Sequence, residues 1–223
     1  MAIKKEDMVS LLSEYKKRNK IPFIIEVLGT PNAGKTSALQ TFEKVLRRSG
    51  IKHKICYEPA SRCKIKEKLS ASFNIWTFSE TLKTLLEIQN SNYDLVVFER
   101  GLVDTICWLN LYYKEKLITK DEYTDITNYI LLDRFIKNID CCYIMHCSVE
   151  TSIKREGLDG LLDVYGTVIN ENTLTKYNEA LLTVEENYGK RFHKVITLDT
   201  SELPQIEINR QFTKDIIEYM KEL

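Results

Sequence analysis

Two rhythms of apolar residues alternate along the chain. Residues 21–28 (IPFIIEVL) form a dense β-branched run closed by Gly29, the pattern of a buried strand. Over 35–49, Ala38, Leu39, Phe42, Val45 and Leu46 recur at three- and four-residue intervals, with Gly50 as a stop; this is an amphipathic helix. Short apolar runs at 54–57, 94–98 (DLVVF), 141–146 (CCYIMH) and 194–198 (KVITL) predict four more strands. Helical spacing over 76–89, 102–113 and 206–220 predicts helices between and after them. Thr119 and Glu122 match a capping box that opens a helix expected to reach about Asn138, and Ser148 is placed to cap the helix after the fourth strand. Met8, Leu11, Leu12 and Tyr15 predict an N-terminal helix on the domain edge, within residues 1–20.

Strands that alternate with helices imply an α/β fold of three layers, a five-stranded parallel sheet with helices on both faces. Ligands of such sheets sit at the carboxyl ends of the strands. With 223 residues and no linker-like stretch, the chain reads as a single domain over 1–223.

Charge and cysteine content narrow the function classes. The 32 Lys+Arg balance 32 Asp+Glu, which argues against a protein that coats a nucleic-acid polymer or an anionic membrane. No apolar run approaches the ~18 residues of a membrane span, and no signal-peptide core is visible, so a cytoplasmic location is expected. Six cysteines without a CxxC pair read as reduced, mostly buried thiols. A zinc site would have to be gathered from scattered cysteines with His53, His146 or His193 and is not favoured.

Each chemical motif follows a predicted strand. Gly29-Thr30-Pro31-Asn32-Ala33-Gly34-Lys35-Thr36 fits G-x-x-x-x-G-K-[ST], with Ser37 next. Such a loop curls so that backbone N–H groups point at a phosphate, while the following helix adds its positive dipole end. Lys35 is then expected to reach the β- and γ-phosphates and the Thr36 hydroxyl to ligate Mg²⁺. A chance glycine turn is the bland alternative, and the strand before and the helix after argue against it. After the second strand, Glu58 is held extended by Pro59 and is placed to bind or deprotonate a substrate hydroxyl. Arg62 suits a substrate carboxylate or phosphate, or belongs with Lys64, Lys66 and Lys68 to a solvated basic face. The third strand ends in Glu99-Arg100-Gly101. Glu99 is placed to hold Mg²⁺ or take a proton, and Arg100 to bind the moving phosphoryl group or the acceptor. Asp104, one turn on, either orients Arg100 or binds substrate. The bland reading makes Glu99 a helix N-terminal acid and pairs Arg100 with Asp104 on the surface. The aromatic run around Trp108, Tyr112 and Tyr113 reads as core before it reads as a base pocket.

The combination GTPNAGKT, YEP, VVFERG and KRE resembles the P-loop kinases of the thymidylate kinase and deoxyribonucleoside kinase group, from Phe23 to about Met220. The resemblance implies ATP and Mg²⁺, a small acceptor (nucleoside or nucleotide), Glu58 as base for a 5′-hydroxyl, and Glu99 and Arg100 as the third-strand pair. It also implies a lid, here about 154–170, which such kinases line with arginines and in which Arg155 would join Lys35 and Arg100 in stabilising transferred charge. The string ERGLVDT is similar to the DRG-x-x-D pattern of other small-substrate kinases, a ribosylnicotinamide kinase type among them. The resemblance further suggests that Asp199-Thr200-Ser201 run past the adenine, and that the apolar helix pair over 102–138 forms a homodimer face. Tyr165 and Tyr177 would flank the lid.

The sequence departs from the group in three places. The third-strand acid is Glu where thymidylate kinases have Asp. No Gly-Gly follows Glu58-Pro59, as their monophosphate loop would require. After Lys154 and Arg155 the lid turns acidic and glycine-bearing, with no arginine until Arg191. These departures keep two other readings open: a kinase of a non-nucleoside hydroxylated molecule, and a regulatory P-loop ATPase that acts on a protein partner. Donor choice between ATP and GTP is open as well.

Overall fold

In the computed structural model, which describes residues 5–19, 21–159 and 169–223, the sheet contains β1 (Phe23–Gly29), β2 (His53–Cys56), β3 (Leu95–Glu99), β4 (Cys141–His146) and β5 (Val195–Asp199). All pairings are parallel and the order is β2-β3-β1-β4-β5. The α/β prediction therefore holds. The chain leaves β1 for the β2–β3 side of the sheet and later crosses to the β4–β5 side. This reversal opens a crevice above the carboxyl end of β1.

The helices are α1 (Lys5–Asn19), α2 (Lys35–Ser49), α3 (Ala71–Ile88), α4 (Leu102–Lys114), α5 (Lys120–Ile130), α6 (Asp133–Ile136), α7 (Val149–Asp159), α8 (Glu171–Tyr188) and α9 (Gln205–Glu222). Alternate strand residues feed two cores. Phe23, Ile25 and Val27 pack with α1, α2 and α9, whereas Ile24 and Leu28 pack with α3, α4 and α8. On the first face, Tyr15 of α1 donates to Asp140 at 2.5 Å, and the same carboxylate accepts the Ile24 amide at 2.7 Å.

Three elements differ from the sequence reading. The helix expected to reach Asn138 stops at Ile130, where extended Leu132 separates α5 from the single turn of α6. Leu131, Phe135 and Ile136 are all buried, so core packing turns the backbone there. The Thr119–Glu122 capping box is present as predicted. Helix α3 begins earlier than its apolar spacing suggested because Ser70 caps it, accepting from the Phe73 amide at 3.2 Å. Helix α8 was not anticipated, although Leu174, Tyr177, Leu181 and Val184 carry the right spacing and are all buried. Of the segment expected as a lid, the start is the end of α7, and 160–168, with Tyr165, lie outside the described residues. Helix α4 is covered by α3, α5 and α8 of its own chain, while Tyr113, Leu117, Tyr129 and Leu132 of the 102–138 segment stay exposed. Among the described residues no helix is long and apolar enough to cross a membrane.

One polar residue organises the floor of the crevice. Glu26 points from the middle of β1 toward α4 and is 1% exposed. Its carboxylate accepts the amides of Leu102 at 3.0 Å, Val103 at 2.8 Å and Asp104 at 3.1 Å, three of the N–H groups a helix leaves unpaired at its start. Burial pushes its carboxyl up to about 8, against the lowering effect of those three amides. A Cβ built on Gly101 would lie 2.3 Å from the Glu26 carboxyl carbon, so the acid fits only because position 101 has no side chain.

Candidate active site

The turn after β1 has the geometry of a phosphate loop. Gly29 has φ +139°, and a Cβ there would fall 1.7 Å from the Met145 carbonyl oxygen of β4, so only glycine fits. Asn32 (φ 59°) and Gly34 (φ 88°) are left-handed, which curls the backbone over the start of α2. The loop is braced from outside. Thr30 donates to Asn178 of α8 at 2.6 Å, Ser152 of α7 to the Pro31 carbonyl at 2.8 Å, and Asn32 to Glu156 at 2.9 Å. Ala33 is buried inside the curl, while Thr36 and Ser37 are exposed on the rim.

Lys35 is 5% exposed, and its Nζ donates to the Gly29 carbonyl at 2.9 Å and the Thr30 carbonyl at 2.6 Å. Burial, reinforced by the Arg100 charge, lowers its ammonium to about 7. A triphosphate beside it favours the charged form. The sign follows: between about pH 7 and the ordinary lysine range, free protein carries a neutral Lys35 and bound protein a protonated one. Titration calorimetry at pH 8 in buffers of different ionisation enthalpy is therefore expected to show uptake of close to one proton on triphosphate binding. Binding without proton exchange would contradict it.

Thr36 donates to the Glu99 carboxylate in a short contact. A hydroxyl and a carboxylate side by side at the mouth of a phosphate loop form the donor set for a hard divalent cation. Residues of the loop, Glu58, Glu99 and Arg100 line a cleft of about 610 Å³, together with Arg155, Leu203, Pro204 and Gln205.

A second cavity of about 280 Å³ adjoins it. Its walls include Phe73, Asn74, Thr77 and Thr81 from α3 and Asp104, Thr105, Trp108 and Tyr112 from α4. Pro31, Glu58 and Arg100 line both spaces. Glu58 precedes a 3₁₀ turn (Pro59–Arg62) that starts on Pro59 and is extended (ψ 124°), as a residue before proline tends to be. Arg100 has φ 56°, a strained value for a non-glycine residue, held by its amide donating to the Val27 carbonyl at 2.8 Å. That turn sends the guanidinium between two acids: Nε lies 3.0 Å from Glu58 Oε2 and Nη1 3.0 Å from Asp104 Oδ1.

Lys35, Thr36, Glu58, Glu99, Arg100 and Asp104 thus meet in one place, with Arg62 and Arg155 at its margins. Arg62 is exposed at the end of the 3₁₀ turn and lines a shallow recess with Cys56, Glu80 and Thr84, which shares Pro59, Thr81 and Arg100 with the second cavity but does not bring Arg62 into its wall. Arg155 reaches the donor cleft, but its guanidinium is occupied by the carbonyls of Asn32 (3.0 Å), Thr200 (2.6 Å) and Leu203 (3.2 Å). It ties the phosphate loop to the turn after β5. Asp104 is 5% exposed and engages both of its oxygens, one with Arg100 and Tyr177, the other with Trp108 Nε1 at 3.0 Å.

The structure adds residues that sequence reasoning passed over. Glu26 was visible as the lone acid of an apolar strand. Asn74, 3% exposed, lines the second cavity and donates to the Thr105 carbonyl at 3.1 Å. Asn178 belongs to α8, as does Tyr177, which the sequence placed beside the lid and which is fully buried.

No protein-family model matches the chain, and no curated protein sequence matches it. Solved structures do match. Deoxyadenosine kinase from M. mycoides, with the products dCMP and a flexible dCDP bound, superposes with a TM-score of 0.67 at 16% identity, over 87% of this chain and 98% of that one. The same enzyme with dCTP gives 0.64 at 19% identity, over 86% and 100%, and with dATP 0.59 at 18%, over 87% and 99%. The chain shares the fold of these P-loop deoxynucleoside kinases along most of its length.

Proposed function

We propose that a chain with this fold and crevice is a nucleoside kinase, which moves the γ-phosphoryl group of ATP onto the primary hydroxyl of a nucleoside. One observation carries the reading: a phosphate-loop cleft and a second, base-sized cavity meet at a carboxylate and a guanidinium, Glu58 and Arg100. The fold shared with deoxyadenosine kinase agrees with it.

In this reading the Gly29–Ser37 loop and Lys35 cradle the donor phosphates. Thr36 and Glu99 would hold Mg²⁺, which when bound offsets charge on the phosphate oxygens. Glu58 accepts the proton of the acceptor hydroxyl as the oxygen attacks the γ-phosphorus and the bond to the β–γ bridging oxygen breaks, releasing ADP. Arg100 lies beside both groups and stabilises the charge in transit.

The charge around the second cavity favours an uncharged acceptor. Arg100, its buried cation, is already neutralised by Glu58 and Asp104, and the other cation on the wall, Lys68, is exposed. A monophosphate would meet two carboxylates and no unpaired buried cation there. The test is a panel of ribo- and deoxyribonucleosides, their monophosphates, sugars and aminoglycosides, with ATP and Mg²⁺, reading ADP release and product mass. Acceleration by at least one nucleoside, with a nucleoside monophosphate as product, is expected. Acceleration only by monophosphates or by non-nucleosides, or ATP turnover that no acceptor speeds, would overturn the proposal.

A further inference from the structure

Tyr177 is one of the largest fully buried side chains, at 0% exposure, yet it ends at charged groups. Its hydroxyl donates to Asp104 Oδ1 in a short contact and lies 3.4 Å from Arg100 Nη1. Its ring is 4.6 Å from that of Trp108, whose Nε1 donates to the other Asp104 oxygen at 3.0 Å. The Arg100 guanidinium carbon lies 6.0 Å from the Tyr177 ring centroid, at the limit of a cation–π contact. A buried tyrosine hydroxyl needs a partner, and here the partner is the acid that grips Arg100.

Resting on the kinase reading above, we infer that Tyr177 is a positioning residue for phosphoryl transfer: by fixing Asp104 it fixes the direction of the Arg100 guanidinium. Asp104 can hold Arg100 in one place only if its own carboxylate cannot rotate. Trp108 restrains one oxygen and Tyr177 the other. Arg100 is anchored on its far side by Glu58 alone, whose side chain is 41% exposed and correspondingly less restrained. The directional constraint therefore comes from the Asp104 side. The neighbouring residue strengthens the case: Asn178 accepts from Thr30 of the phosphate loop and donates to the Cys147 carbonyl at 3.0 Å. One turn of α8 thus braces the donor loop and the Arg100 pair together.

The experiment compares Tyr177→Phe, Arg100→Lys and the double variant with the parent chain, measuring kcat, donor KM and acceptor KM. Tyr177→Phe keeps the ring and its packing on Trp108, and a thermal melt checks that the fold persists. It is expected to lower kcat about tenfold, with donor KM within about twofold of the parent. In the Arg100→Lys background the same change is expected to cost less than about twofold, because the group that Tyr177 orients is gone. Tyr143→Phe is the control; Tyr143 is equally buried but donates to Asp215 on the opposite face, and kcat should not move. An unchanged kcat in Tyr177→Phe, or the same fold-loss in both backgrounds, would overturn the positioning role. A parent chain without nucleoside-dependent transfer overturns the kinase reading, and this inference with it, and is distinguished by the parent assay.

Discussion

Glu58→Gln is expected to lower kcat about a thousand-fold, within the range removed with a general base, while donor KM stays within about threefold. The amide is nearly isosteric, so the cavities keep their shape, but it cannot take the proton that the acceptor hydroxyl must lose. It also ends the 3.0 Å ion pair with Arg100, leaving that guanidinium held from the Asp104 side alone. In the kinase reading the donor is gripped by the loop and Lys35, which the substitution does not touch, so the loss belongs in kcat. Slow ATP hydrolysis without acceptor should fall far less, since that reaction does not depend on taking a proton from an acceptor hydroxyl. Steady-state kinetics with saturating ATP decide the matter. A variant that keeps more than about a tenth of parental kcat would remove Glu58 from the proton-transfer role.

Gly29→Ala is expected to abolish triphosphate binding and to destabilise the chain by more than ~3 kcal/mol, lowering the thermal midpoint by roughly 6–12 °C. The added Cβ would sit 1.7 Å from the Met145 carbonyl oxygen and 2.6 Å from its carbon. Both atoms are backbone of a central strand, so neither can swing aside as a side-chain tip would. Either β1 and β4 part at their upper ends or the loop abandons its curl. Gly50→Ala is the internal comparison. Gly50 is also left-handed (φ 73°) but nothing lies within 4 Å of its added Cβ. That change should cost only the left-handed penalty of ~1–2 kcal/mol and leave binding intact. Thermal melts and calorimetry with an ATP analogue separate the two, and equal effects would show that backbone conformation matters here and the close approach does not.

What was legible in the sequence was mostly local. The strand–loop–helix unit from Phe23 to Ser49 could be read because each signal lies within a few residues of its effect: β-branched run, two glycines, amphipathic spacing. Alternating short strands and helices implied the parallel sheet for the same reason. Non-local geometry was not legible. Asp104 and Arg100 were recognisable as a pair one helical turn apart, and Trp108 lies one turn further along the same helix, but nothing nearby reveals that Tyr177, 73 residues on, takes up the acid as well. Arg155 read as a cation free to meet phosphate because the carbonyls that engage it at Thr200 and Leu203 lie 45 and 48 residues on. The apolar spacing of α8 is diluted by polar residues, Glu171, Asn172, Lys176, Asn178 and Glu179 among them, and it follows an acidic, glycine-bearing stretch, so its helical signal is weak in the sequence. Arg62 illustrates the converse limit: its place just past a strand suggested chemistry, and one short turn leaves it exposed in a recess beside the second cavity instead of in its wall.

The buried acid beneath the crevice has a consequence for how such a chain can change over generations. Glu26 occupies space that any side chain at position 101 would need, and in return satisfies three amides at the start of α4. An alanine at 101 must therefore come with a shorter residue at 26, and the vacated amides must find another acceptor. A library that randomises both positions is therefore expected to recover glycine at 101 wherever it recovers glutamate at 26.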